Sequence, residues 1–419
     1  MNMNRRRFLA ATATTAAALT QGCGSPAAAP ARTASSGPWT IENVRAEFPR
    51  AVAQVYLDAA AHIPLSRIAE AGAQRYMDFH MHGPGEGRGE YAREAIQGAR
   101  TLFAEMINAK PSEIAFVSST KHGENIVLNG LKVQERGGNV VTNDLHYAGS
   151  VHHYIGRQKA GMDVRIVKHK NWMIDLNDMK KAIDKKTKFV AITLVSNVNG
   201  WVEDAKSICE IAHANGAYVY ADIIQAVASV PVDVKALGLD FAACSNYKWL
   251  AGVRGAAYLY VREELQGNVV QDVDFPGYVR YNYEPWVSAA DPGKGAFPYE
   301  PPKNASRYEP GNVNYIGYAA QYESLKMFKD LGIDRIWAHS KTLCDRLKKE
   351  LPGLGYTMIT PPDAQSALVV VQAKDLKASM AKLKQANIQV TEAGENRIRI
   401  SPAFYNNMSD IDKLLAAMA

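Results

Sequence analysis

Cysteine is scarce in this chain, with four in 419 residues. The spacing of Cys209, Cys244 and Cys344 suits neither a zinc site nor a disulfide framework, so all three read as buried thiols and no metal is expected. There is no basic stripe with interleaved aromatic residues, which argues against nucleic acid. Internal repeats are absent as well. The one apolar run near the start, from Phe8 to Thr20, is too short and too mildly apolar for a spanning helix. What remains is ordinary for a soluble globular chain: 47% hydrophobic and 21% charged residues. The length allows two or three domains with a sizeable core.

The first thirty or so residues differ from the rest. Arg5-Arg6-Arg7-Phe8-Leu9 followed by an Ala- and Thr-rich run reads as a twin-arginine export signal over residues 1–31, with Ala29-Pro30-Ala31 as the small-x-small cleavage site. The expected product is periplasmic, with the export machinery as a partner. A lipid on Cys23 is the alternative, and membrane attachment is expected only through it. The formal charge of +6 falls to +3 once Arg5, Arg6 and Arg7 are removed.

Residues 32–54 read as a linker and N-terminal segment. From 55 to 275, apolar strands alternate with helical patterns, as in Ile114–Ser118, Asn139–Thr142, Val164–Val167, Phe189–Ser196, Ala217–Asp222 and Ala256–Val261. Such alternation predicts an α/β fold, a mostly parallel sheet covered by helices, with ligand-binding motifs at strand C-terminal ends. Residues 276–311, rich in Pro and Tyr, read as an active-site lid or dimer arm. A long helical stretch from 312 to about 350 opens a smaller C-terminal α/β unit running to 419, with strands at Leu368–Val371 and Arg397–Ser401.

One residue concentrates the chemistry. Lys248 is wedged between Tyr247 and Trp249, an odd place for a solvated charge. Burial lowers the pKa of a lysine and makes it a better nucleophile toward an aldehyde. Upstream, the strand Ala217–Ala221 ends at Asp222, and Gln225 follows three positions on. A buried structural ion pair would also explain Asp222 with Lys248. The full segment, however, resembles the pyridoxal 5′-phosphate (PLP) site of the class V aminotransferase family, which includes cysteine desulfurases and isopenicillin N epimerase-like proteins. The shared pattern is D-x-x-Q, then S-x-x-K-W from Ser245, then glycines at Gly252 and Gly255. The resemblance implies the PLP-dependent transferase fold, with a seven-stranded type of sheet, and a homodimer. It also implies a Schiff base between PLP and Lys248, with Asp222 holding the pyridine nitrogen protonated.

Other stations follow in family order. Tyr56-Leu57-Asp58 resembles the opening Y-L-D-x-A, and Arg88 in Gly85–Gly89 resembles the segment bordering the substrate entrance. Ser119 and Thr120, at a strand-to-helix turn, resemble the phosphate holders, joined by Ser245, and Tyr247 falls among the cofactor-binding residues the resemblance implies. Two alignments are open at Asp144–Ala148: one sets His146 flat against the ring, while the other, slightly preferred because Asp144 also matches, sets Tyr147 there. Asn197 takes the place near the phenolic oxygen, beside Gln225. Gly311 and Asn312 resemble a turn that reaches the phosphate of a neighbouring subunit, with Asn312 standing where the family has threonine. Arg399, two before Ser401-Pro402, resembles the arginine that binds a substrate α-carboxylate.

The implied activity is PLP chemistry on the amino group of an amino-acid or peptide-like substrate. Aminotransferase chemistry comes first, with a C–S lyase or an epimerase as alternatives. A retired PLP fold serving as a periplasmic binding protein is the non-enzymatic reading. Residues 356–399 hold no cysteine, which argues against a persulfide-forming desulfurase.

Overall fold

The computed structural model describes residues 38–271 and 301–419. The expected signal, its cleavage site, Cys23 and residues 276–300 of the Pro- and Tyr-rich segment lie outside the described residues. Trp39–Ala419 form one compact unit.

Strand β1 (Val55–Tyr56) is followed by seven strands that make the main sheet: β2 (Ile114–Val117), β3 (Asn139–Asn143), β4 (Asp163–Val167), β5 (Thr187–Thr193), β6 (Tyr218–Asp222), β7 (Phe241–Ser245) and β8 (Ala257–Val261). Their spatial order is β2-β8-β7-β6-β5-β3-β4. Only β8 runs against its neighbours, so the sheet is mostly parallel as expected. Alternate residues feed two cores, one on each face, because successive side chains of a strand point to opposite sides. Ile114, Phe116, Val190, Ile192, Val219 and Ala221 enter one core, whereas Ala115, Val117, Phe189, Ala191 and Tyr220 enter the other. Helices cover both faces, which is why these strands read as continuous apolar runs.

The covering helices begin where side chains satisfy free backbone donors. Ser119 caps Thr120–Gly130 by accepting from His122 N–H at 3.0 Å, and Asp204 caps Ala205–Ala214 by accepting from Ser207 N–H at 3.1 Å. Tyr315–Leu331 packs on both Arg67–His82 and Arg88–Met106. The helical stretch expected from 312 to about 350 consists of two helices. Gly332, at φ +76°, ends Tyr315–Leu331 and starts Ile333–Glu350, a conformation that a side-chain-bearing residue resists.

The C-terminal region adds β9 (Thr357–Met358), β10 (Val369–Gln372), β11 (Ile388–Gln389), β12 (Thr391–Glu392) and β13 (Arg397–Ile400). Strands β12-β13-β10-β9 form an antiparallel sheet. Residues 55–58, expected to open the large domain, pair instead with this region: β1 lies parallel to β11, and Asp58 bridges Ser401. Apolar Val55, Tyr56 and Leu57 are buried there. Glu309 is anchored at the edge strand β2, where it accepts from Phe116 N–H at 3.1 Å and pairs with Arg100 at 2.7 Å. No helix among the described residues is long and apolar enough to cross a membrane.

Candidate active site

The polar turns after β2, β3, β5, β6 and β7 all leave the same edge of the sheet, since these strands run in one direction. Lys248 follows β7 and is 9% exposed. Burial lowers its pKa to about 8, against the pull of the Asp222 carboxylate, while the Arg399 guanidinium lowers it further. Asp222 ends β6 and is 3% exposed. Among the described residues its carboxylate accepts from Ile224 N–H at 2.9 Å. Burial raises its pKa; the charges of His146 and Lys248 and the Ile224 contact oppose that rise. A buried carboxylate with so little compensation is a place for a cationic N–H.

The turn after β2 and the one around Ser245 are locked together. Thr120 N–H donates to Ser245 Oγ at 2.8 Å, and Ser245 N–H donates to Thr120 Oγ1 at 3.0 Å. Ser119 accepts from His122 N–H and keeps its own hydroxyl proton to donate. The start of an 11-residue helix with hydroxyls around it is suited to a phosphate.

His146 and Tyr147 part company. His146 is buried and acts on Asp222, whereas Tyr147 is 46% exposed and precedes the helix Ala148–Lys159. Behind His146 lies Glu124, which the sequence reading assigned no role. Its carboxylate accepts from Ser150 Oγ at 2.6 Å and Tyr154 OH at 2.5 Å, and pairs with Lys121 at 3.0 Å and His146 at 3.7 Å. Burial pushes its pKa up, but the His146, Lys121 and Ser150 contacts outweigh that and hold it at about 2. The available signal was a carboxylate one turn into the helix, just ahead of its apolar run Ile126–Leu128.

Arg399 on β13 is 9% exposed and donates to the Asn197 carbonyl at 3.3 Å and to Thr391 Oγ1 at 3.1 Å. Its Nε is buried without a partner among the described residues. Gln225 donates to the Ala60 carbonyl at 3.0 Å and accepts from Trp249 Nε1 at 2.7 Å, which braces the lysine loop. Tyr247 lies beside both Lys248 and Arg254, its ring 5.8 Å and 5.4 Å from the two charges. Arg88, expected at the substrate entrance, is held by its own turn, donating to the Gly83 and His82 carbonyls and to Glu86. Gly311 and Asn312 lie in the bend before the helix Tyr315–Leu331, and no hydrogen bond or ion pair among the described residues joins them to the neighbours of Lys248.

A family model described as aminotransferase class V matches residues 55–414. The chain belongs to the class V aminotransferase family. A probable cysteine desulfurase of Methanothermobacter thermautotrophicus is 30% identical over 321 residues, 73% of this chain and 74% of that protein. An uncharacterised aminotransferase of Bacillus subtilis is 25% identical over 374 residues, 88% of this chain and 95% of that protein. Among solved structures, a C-DES variant with glycine covalently linked to its PLP cofactor aligns with a TM-score of 0.79 at 20% identity, covering 89% of this chain and 98% of that one. C-DES is also described as a cystine C–S lyase in a complex with cysteine persulfide, which aligns with a TM-score of 0.76 at 20% identity over 88% of this chain and 98% of that one.

The class V cofactor is PLP, and the residues at this edge of the sheet fit it. The buried amine of Lys248, the under-compensated Asp222 carboxylate and the hydroxyl-lined helix start match an aldehyde, a ring nitrogen and a phosphate. The expectation against a cysteine desulfurase finds no support in these relatives. Class V membership covers both that name and aminotransferase.

Proposed function

We propose that this chain is an exported, homodimeric class V enzyme that acts on the amino group of an amino-acid or peptide-like substrate by transamination. The observation that carries this reading is the burial of Lys248, Asp222 and Arg399 near enough for both other charges to act on the lysine, whose pKa burial draws down to about 8. PLP supplies an aldehyde that captures amines and a protonated ring that draws electrons from the substrate Cα. Lys248 would hold the cofactor, and its Nζ would take and return the Cα proton. Asp222 keeps the ring nitrogen protonated. Ser119, Thr120 and Ser245 at the helix start bind the phosphate, with Tyr247 beside them and Gly311 and Asn312 of a second copy completing the cradle. We assign the ring against the pyridine to His146 instead of Tyr147, on its burial beside Asp222. Asn197 and Gln225 border the phenolic oxygen. Arg399 takes the α-carboxylate with its fork. Arg88 drops out of this reading because its nitrogens serve its own turn.

A second reading, C–S bond cleavage, draws on the relatives named for it. Cys209, Cys244 and Cys344 are buried, and burial raises their thiols to about 12, well above the usual range, and to about 12. In that reading the sulfur leaves on a small molecule instead of a described cysteine of this chain.

The test is product analysis of the purified holoenzyme with L-amino acids, cystine and a keto-acid acceptor. Transamination yields a keto acid and a new amino acid in equal amounts. Sulfide and pyruvate without use of the acceptor would establish a lyase instead. Alanine with released sulfane sulfur would establish a desulfurase, and racemised substrate an epimerase. No turnover of any of them would favour a binding protein.

A further inference from the structure

The contacts of Arg399 lead, through Thr391, to the opposite end of the sequence. Its Nη2 donates to Thr391 Oγ1 at 3.1 Å, and the Thr391 hydroxyl donates in turn to Asp58 Oδ1. The other Asp58 oxygen accepts from Gln389 Nε2 at 3.3 Å. A threonine hydroxyl has one proton to give and lone pairs to receive. Here the guanidinium and the carboxylate at its two sides set that direction. Asp58 is 5% exposed, so its charge is poorly screened, and it offsets the burial that lowers the Arg399 pKa. The Nη1 contact to the Asn197 carbonyl and the Thr391 contact fix the plane of the guanidinium. Among the described residues buried Nε–H has no acceptor and is left to donate.

The stretch that carries Asp58 also touches the lysine side of the site. Ser401 N–H donates to the Leu57 carbonyl at 2.8 Å, and Ala59 N–H donates to the Ser401 carbonyl at 3.2 Å. The Ala60 carbonyl receives Gln225, which in turn receives Trp249, the residue after Lys248. Residues 57–60 are thus pinned to the strand end of Arg399 on one side and to the loop of Lys248 on the other.

We propose that Asp58 and Thr391 are positioning residues for Arg399, aiming its free edge at the substrate α-carboxylate and holding its charge in a buried place. The inference rests on Arg399 being the carboxylate-binding residue. It assigns selectivity for acids over amides to a relay that begins in the N-terminal segment.

The experiment uses holoenzyme carrying Asp58→Asn, Thr391→Val, Thr391→Ser or Arg399→Ala. The probes are whichever standard L-amino acid binds wild type most tightly, read by the cofactor absorbance, and the carboxamide of that amino acid. Wild type should prefer the acid. Asp58→Asn and Thr391→Val should each reduce that preference roughly tenfold through the acid alone, the scale of one charge-assisted hydrogen bond. The melting temperature and resting cofactor spectrum should hold. Thr391→Ser, which keeps the hydroxyl, should restore the preference. Asp58→Asn should add nothing in an Arg399→Ala background. If Asp58→Asn does not fold, Thr391→Val against Thr391→Ser decides. Undiminished preference in the relay variants, with loss in Arg399→Ala, would overturn this inference and leave the reading of Arg399 standing. Preference retained in Arg399→Ala, or no binding by wild type, would overturn that reading and this inference with it.

Discussion

Lys248 sets burial against charge, and burial decides the pKa. A lysine at about 8 is mostly protonated below that pH and mostly neutral above it. Only the neutral amine adds to an aldehyde. Capture of added PLP by cofactor-free protein should therefore quicken as pH rises from 6 to 8 and level off above. Stopped-flow absorbance measures it, and a flat profile across that range would remove Lys248 from the reaction. Lys248→Ala should fold yet hold no cofactor that borohydride can fix in place. Asp222→Asn offers a second expectation. An amide has the shape but cannot carry the negative charge that keeps a ring nitrogen protonated, so turnover should fall roughly a hundredfold or more with cofactor still bound. Near-normal turnover in a fully loaded variant would sink the assignment. Both residues were legible because a charge at a strand end or between aromatics is chemically conspicuous. His146 and Tyr147 were not separable in that way. They are adjacent, and only the path of the backbone into the helix Ala148–Lys159 decides which ring is buried.

The helix Thr120–Gly130 shows what an element adds. Its start offers donors to an anion, and one turn further in Glu124 ties it to Ser150 and Tyr154 of the neighbouring helix. The folded Glu124 pKa is about 2, below the unfolded value of about 4.3. The depressed value means its stabilisation is fully present above the unfolded pKa and is lost as pH falls from about 4 to about 2. Glu124→Gln leaves the partly exposed Lys121 without its partner and should cost about 1.5–3 kcal/mol at neutral pH. Thermal melts against pH should show the variant losing less than wild type across that acid range; parallel curves would deny Glu124 the role. The break at Gly332 was hidden for a different reason. A single glycine in a helical pattern is tolerated, and only the observed positive φ reveals the stop.

Across the whole molecule, one parallel sheet gathers turns that are far apart in sequence. Lys248, Asp222, Asn197, His146 and Thr120 leave adjacent or nearby strands at the same edge, where open α/β sheets bind their ligands. The N-terminal export reading belongs at this scale, because the twin-arginine route carries folded proteins and so allows a cofactor acquired in the cytoplasm to travel in place. Changing Arg5, Arg6 and Arg7 to Lys should trap the precursor in the cytoplasm on cell fractionation. Undiminished periplasmic protein would contradict that route.

The sequence by itself determined the strand-and-helix alternation, the family and the cofactor. Each rests on local pattern: apolar runs of strand length, and reactive side chains at fixed spacings around Asp222, Lys248 and Arg399. The tertiary structure alone decided which polar groups share a buried space. Glu124 behind His146, and Asp58 with Thr391 behind Arg399, are partnerships across 22, 333 and 8 residues of chain, and no periodicity encodes them. They arise because a buried charge must find a partner when the sheet closes, and the nearest one in space is set by strand order.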